Sequence, residues 1–345
     1  MTAPLARLFG AGLVALLALP TPIHQAAWGD SSAINAAGRP IASPTRVHET
    51  LGIGDEFMGI RLLGALEMER TRIDDIPLAE LSGLAYDPDD DILYAVSDEG
   101  GLFALRARFE NRVLTGLDAL SATRLRDGGG LPLDGASSDA EGLEWLPTDR
   151  DLLISFERNH RIIEYRTDGR PVGRRAPPSG YSATNGVFRA PNLGLEALTL
   201  HQGQVLTGSE SPRRRDDDDS YMISRADGTL FRLPRRDPEA GGLTALQALR
   251  DGRILAVERN FRSLWTPVVI RLYLFGPEPA SPVRLIAELD NGKGWNIDNF
   301  EGLAVLPDGR LLMVSDDNGS GLQRTILLCF ELIEASQDDP VQSPK

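Results

Sequence analysis

The 345-residue chain sets 36 lysines and arginines against 50 aspartates and glutamates, a formal net charge of -14, with 41% hydrophobic and 25% charged residues. Such acidity excludes nucleic acid and anionic membrane surfaces as partners, since both need a basic face, while the composition is ordinary for a globular chain with a sizeable core. A single cysteine, Cys329 in "TILLCFEL", excludes an internal disulfide and reads as a buried strand residue.

In chain order, Arg7 precedes the apolar run "LFGAGLVALLALP", and the small residues Ala26 and Ala27 follow a proline-broken stretch. The run is too short to span a bilayer, so residues 1–27 are predicted to be a secretory signal peptide. The mature chain is then expected to be periplasmic or secreted, with no stable membrane insertion after cleavage. Residues 28–56 are rich in Ala, Ser, Pro and Gly without a strand pattern and read as a flexible lead-in; "GDSS" at 29–32 falls there and is treated as linker. The tail, 336–345, reads as flexible too.

Between them, residues 57–335 repeat themselves. Strands begin at Ser82 ("SGLAY"), Glu141 ("EGLEW"), Glu196 ("EALTL"), Thr244 ("TALQA") and Glu301 ("EGLAV"). Each is followed by a turn such as "DPDDD", "HQGQ" or "PDGR", then a second apolar strand such as "ILYAVSD" or "LLMVSD", and then a third. Fourth runs follow in "RVLTGL", "TLFRLP" and "VRLIAEL". Four short-linked strands per repeat predict an all-β fold, a β-propeller of four-stranded blades. Five repeats are counted, six if a degenerate copy lies between residues 170 and 195. The last copy lacks a fourth strand, whereas "GIRLLGALEME" at 59–69 is an orphan, so pairing the two closes the ring. An open β-sandwich also has many short strands, but not the acidic punctuation of every copy.

Because successive strands alternate in direction, the start of the first strand and the end of the second lie at the same end of the ring. One set is Ser82, Glu141, Glu196, Thr244 and Glu301; the other is Asp98, Glu157, Glu210, Glu258 and Asp316. Crowded carboxylates repel unless cations compensate. In one reading Asp98, Glu157, Glu210, Glu258 and Asp316 ligate Ca²⁺, Glu141, Glu196 and Glu301 are catalytic, and Arg158, Arg259 and Lys293 grip a small anionic ester. In the other the acids and arginines bond loop backbone and fasten neighbouring blades. His160 reads as a solvated loop residue, and "RRRDDDD" at 213–219 as a self-neutralising loop.

No G-x-S-x-G elbow, Walker A loop, H-E-x-x-H or zinc-type Cys/His spacing occurs. Any chemistry falls to carboxylates, arginines, hydroxyls or a bound metal.

At "NFEGLAVLPDGRLLMVSDDNG", "DAEGLEWLP", "LLISFERN" and "GLEAL" with "TGSE", the chain resembles the phytase-like propeller family, exported bacterial proteins described as esterase-like proteins of the phytase group. The resemblance covers roughly residues 60–333. It implies an exported propeller and hydrolysis of a phosphate ester or other ester, assisted by Ca²⁺. A non-catalytic propeller that binds a ligand or protein on the same face, and a metal-dependent lactonase-like enzyme, are the alternatives.

Overall fold

A computed structural model describes residues 38–181, 187–190, 192–261 and 266–333. Five antiparallel sheets stand around a common axis, and the innermost strand of each packs against those of the two adjacent sheets. Blade 1 runs outward as Leu81–Asp87, Ile92–Ser97, Gly101–Glu110 and Val113–Arg124; blade 2 as Ala140–Leu146, Asp151–Phe156, Arg161–Tyr165 and Pro171–Arg175. Blade 3 comprises Leu195–His201, Gln204–Ser209, Ser220–Arg225 and Leu230–Pro234, and blade 4 Gly241–Ala248, Ile254–Asn260, Val269–Phe275 and Arg284–Asp290. The propeller is therefore five-bladed: among the described residues between 170 and 195, the one complete strand is the outermost strand of blade 2.

Blade 5 is built from both ends of the described chain. Asn299–Val305, Leu311–Asp316 and Ile326–Leu332 receive Ile60–Met68 as their fourth strand, with Glu67 opposite Ile326 and Ile60 opposite Leu332. This is the closure that the orphan strand predicts. It pairs two edges that would otherwise present rows of open N–H and C=O groups.

The lead-in behaves differently from the flexible segment expected. Its described part, residues 38–56, straps two seams: Arg39–Pro40 pairs with the outer strand of blade 1 and Ala42–Pro44 with the closing strand of blade 5, and His48 then bridges to Trp295, between blades 4 and 5. Ile41 and Val47 are buried there. The segment lacks an alternating pattern because its pairing partners are edges supplied by the rest of the chain.

The recurring Asp-Gly turns have one physical cause. In blades 2 to 5 the aspartate side chain accepts the amide of the residue two places on: Arg170 to Asp168 at 3.0 Å, Thr229 to Asp227 at 2.9 Å, Arg253 to Asp251 at 2.9 Å and Arg310 to Asp308 at 3.3 Å. The intervening Gly169, Gly228, Gly252 and Gly309 have φ between 82° and 90°, a left-handed conformation that glycine adopts without a Cβ penalty.

Between the blades the core is aliphatic and aromatic. Cys329 is buried in it, and burial pushes its thiol up to about 12. The 213–219 charge run neutralises itself only in part: Arg213 lies 2.6 Å from Asp216 and over the Tyr181 ring, whereas Asp217 and Asp218 pair with Arg232, at 3.3 Å, and Arg189, both outside the run.

Candidate metal centre at the mouth of the channel

In all five blades the pairing of the first two strands slips at the same place. The irregularity falls between Leu81 and Gly83, Ala140 and Leu143, Leu195 and Ala197, Leu243 and Ala245, and Phe300 and Gly302. The residues set free are Ser82, Glu141 with Gly142, Glu196, Thr244 and Glu301. A bulge breaks the in-out alternation of a strand and re-aims a side chain, and here it brings glutamates from three blades together.

The small residue after each of these positions has its own reason. A Cβ on Gly83 would stand 2.5 Å from the Glu141 carbonyl oxygen, and one on Gly142 would stand 2.7 Å from that of Glu196 and 2.6 Å from the Leu198 Cβ. The Gly142 amide donates to the Ser155 hydroxyl at 2.9 Å, which donates to the Glu196 carbonyl at 3.1 Å. The Ser155 hydroxyl thus satisfies the Gly142 amide and the Glu196 carbonyl together. Gly142→Val is expected to destabilise the protein by about 3 kcal/mol, the upper range for an overpacked core, measured as a lowered denaturation midpoint; an unchanged midpoint would contradict this close approach.

The ends of the second strands complete the mouth, with one change of register. The residues opposite the start of each bulge are Ser97, Phe156, Ser209, Glu258 and Ser315, so the next positions are Asp98, Glu157, Glu210, Arg259 and Asp316. "FERN" and "VERN" look alike but stand one residue out of step. Glu258 consequently lies outside the acidic mouth. It is fully buried, accepting from Tyr273 Oη at 2.9 Å, Tyr221 Oη at 3.3 Å and Arg271 Nη1 at 3.3 Å. Arg259 takes the fifth place.

Oxygens of Glu141, Glu196 and Glu301 lie within 4.8 Å of one another, and so do oxygens of Asp98, Asp139 and Glu141. Glu141 belongs to both groups. Glu141 and Glu196 are 7% and 6% exposed, and among the described residues no group donates a hydrogen bond to either carboxylate. Glu301 is held by Asn299 Nδ2 at 2.8 Å and by Arg259. Arg259 also reaches Glu210 at 2.5 Å and Asn299 Oδ1 at 3.0 Å. Burial opposes its charge, but Glu301 and Glu210 hold its pKa above the ordinary value.

Burial first, and mutual repulsion second, pushes the Glu141 and Glu196 carboxyls well above the usual range. Burial likewise pushes Asp98, Glu157, Glu301 and Asp316 up to about 8, Asp98 further raised by Asp316, and Asp316 by Glu301. The Ser82 hydroxyl donates to Asp98. Two of the acids also fasten loops: Glu157 accepts the Gly194 amide at 2.8 Å, and Asp316 the Asn318 amide at 2.7 Å.

The remaining expected residues scatter. Lys293 is exposed and pairs with Glu288 at 2.8 Å and Asp290 at 3.3 Å, on the outermost strand of blade 4. Arg158 stands 3.2 Å from Asp139. His160 is buried, its ring 4.0 Å from that of Phe188, and burial lowers its pKa. Asp139, absent from the sequence-derived sets, announced itself only as an acid two places before Glu141 in "DAEGL". Beside the acids, the space between the inner strands shrinks to a void of about 10 Å³ lined by Ser82, Gly142, Thr244 and Glu301 among others, room for about one water.

A family model described as "Phytase-like: Esterase-like activity of phytase" matches residues 76–319, a span that contains every acid of the mouth. The chain belongs to the phytase-like family. No curated protein matches it significantly. Among solved structures, similar chains occur in a nidogen/laminin complex (14% identity, TM-score 0.42, 75% of this chain and 84% of that one) and in the gluconolactonase XC5397 of Xanthomonas campestris (11%, 0.39, 83% and 99%). The Cps50 (Swd1) β-propeller domain of Myceliophteria thermophila is a third (10%, 0.37, 84% and 99%).

The donor set of this phytase-like propeller is all oxygen. Among the described residues two of its buried carboxylates, Glu141 and Glu196, lack a protein donor, the situation that a hard divalent cation relieves. Glu141, Glu196 and Glu301 could hold one ion, and Asp98, Asp139 and Glu141 another.

Proposed function

We propose that this phytase-like protein is a hydrolase of a phosphate ester or other anionic ester, assisted by a divalent cation, Ca²⁺ being the best match, at the acidic mouth of the propeller. The observation that carries the reading is the pair of overlapping carboxylate groups joined through Glu141. An ion held there would draw charge from an ester oxygen and make a nearby water more acidic. The water oxygen bonds to the ester's central atom as the bond to the alcohol oxygen breaks. Glu196, whose carboxylate accepts no hydrogen bond among the described residues, would take the water's proton with the oxygen it does not give to the ion and return it to the leaving alcohol. Arg259 keeps Glu301 and Glu210 in place rather than meeting substrate. The signal-like N-terminus, which lies outside the described residues, supports a periplasmic or secreted setting.

The test is phosphate release from phytate and from an aryl phosphate, with Ca²⁺ and then with chelator. Release that needs the cation is expected. Absence of release from both would overturn the phosphatase reading and favour a binding propeller or a lactonase-like activity.

A further inference from the structure

We infer that the protein carries a second binding site, off the axis between the N-terminal strap and blade 5, for an aliphatic carboxylate of medium chain length, with Arg46 receiving the carboxylate. This site does not depend on the hydrolase reading.

The way the strap is fastened creates the site. The Thr45 amide donates to the Ala65 carbonyl at 2.9 Å and the Gly54 amide to the Leu62 carbonyl at 2.8 Å, so residues 46–53 arch across a stretch that the closing strand covers with Leu63 and Gly64 alone. The arch is tied elsewhere. The Glu49 amide donates to the Gly294 carbonyl and the Asn296 amide to the Val47 carbonyl, each at 2.9 Å, while His48 Nδ1 accepts the amides of Thr50 at 3.1 Å and Leu51 at 3.0 Å. Drawn toward the loop between blades 4 and 5, the arch does not close on the strand, and a cavity of about 380 Å³ lies between them. Close-packed interiors rarely leave a void larger than a water. This one falls at the lower end of the range of about 300–1,000 Å³ for pockets that enclose a small ligand.

The walls select the ligand class. Val47, Leu51, Ile53, Leu62, Ala65 and Leu328 supply aliphatic groups; among the described residues that line the cavity none is aromatic, and Arg46 is the one that carries a charge. Branched aliphatic walls with no ring to stack on suit a flexible hydrocarbon chain better than a planar one. A lone cation calls for an anionic head, and a guanidinium takes a carboxylate through two parallel hydrogen bonds. Arg46 is exposed, and its guanidinium has no hydrogen-bond or ion-pair partner among the described residues. Ile53, 61% exposed, is apolar surface open to water that a bound chain would cover. Another cavity of about 380 Å³, where the inner strands end opposite the acidic mouth, also holds an arginine, Arg250, but with Glu144, Tyr86 and Trp145 in its wall. That mixed lining does not select an aliphatic anion.

Calorimetry with hexanoate, octanoate, dodecanoate and octanol tests the site. Octanoate is expected to bind one to one and about 10-fold tighter than hexanoate, as two more buried methylenes require, with little further gain from dodecanoate, whose chain outgrows the cavity. Arg46→Gln should weaken octanoate at least about 10-fold, the scale of a charge-assisted hydrogen bond, and bring it level with octanol. Because Arg46 is exposed, the ligand-free melting temperature of that variant should match the parent's. Arg250→Gln should keep the parent's affinity. No binding of octanoate, an affinity indifferent to chain length, or Arg46→Gln binding as the parent does would each overturn the site. A loss confined to Arg250→Gln would overturn it in favour of the far cavity. Octanoate that binds only after removal of residues 336–345 would make the chain's own tail the occupant in place of a free carboxylate.

Discussion

Glu141→Gln is expected to remove both cation positions at once, because Glu141 alone belongs to both carboxylate groups. Outer partners of metal ligands are worth about 10- to 100-fold, so loss of the shared ligand should lower phosphate release by more than about 100-fold. Glu196→Gln and Asp139→Asn, each confined to one group, should do less. The variant should also melt higher than the parent without Ca²⁺ and gain little when Ca²⁺ is added. It replaces a buried carboxylate that repels Glu196, Asp98 and Glu301 by a neutral group of the same shape. Melts with and without Ca²⁺, and phosphate release in the same buffers, check both halves. Turnover equal to the parent's would place the chemistry elsewhere.

The second large effect is on stability against pH. Asp98, Glu157, Glu301 and Asp316 titrate near 8 in the folded protein because burial disfavours their charge, whereas free carboxyls titrate near about 4. The folded state thus holds protons that the unfolded state has released. Their contribution is fully present below about pH 4 and is lost as pH rises through about 8. The Ca²⁺-free protein should melt more than about 5 °C lower at pH 9 than at pH 6, taking about 2–4 °C per kcal/mol for a chain of this scale. Added Ca²⁺ should restore most of the loss at pH 9 and little at pH 6, since ligation requires deprotonated carboxylates. A melting temperature that rises with pH in the metal-free protein would contradict the buried cluster.

The blades and their turns were legible because they rest on local rules that recur from copy to copy, and the closing strand because one copy lacked a fourth strand. The Asp-Gly turn needs one aspartate and one left-handed glycine, and the bulge needs a small residue beside the axis. What the sequence concealed depended on register or on neighbours from other blades. Glu258 and Arg259 are adjacent letters, and only the pairing of Leu243 with Glu258 decides which of them reaches the mouth. Lys293 sits in a glycine loop that sequence cannot place at hub or rim; Glu288 and Asp290 hold it at the rim. Asp139 stands two places before Glu141, where the last copy has Asn299, so the repeat marks the position but not its charge.

The strand Ile60–Met68 is made early, yet its partner Ile326–Leu332 is among the last segments of the described chain. Until the partner arrives, the early strand has no place in its sheet, and blade 5 cannot be finished by any shorter product of synthesis. Contacts this distant in sequence make folding slow, and the unpaired strand is a sticky edge in the meantime. A chain cut short before residue 326 should therefore aggregate rather than form a four-bladed fragment. The same join is expected to make unfolding cooperative, since neither Ile60–Met68 nor Ile326–Leu332 can leave blade 5 without opening an edge of the other.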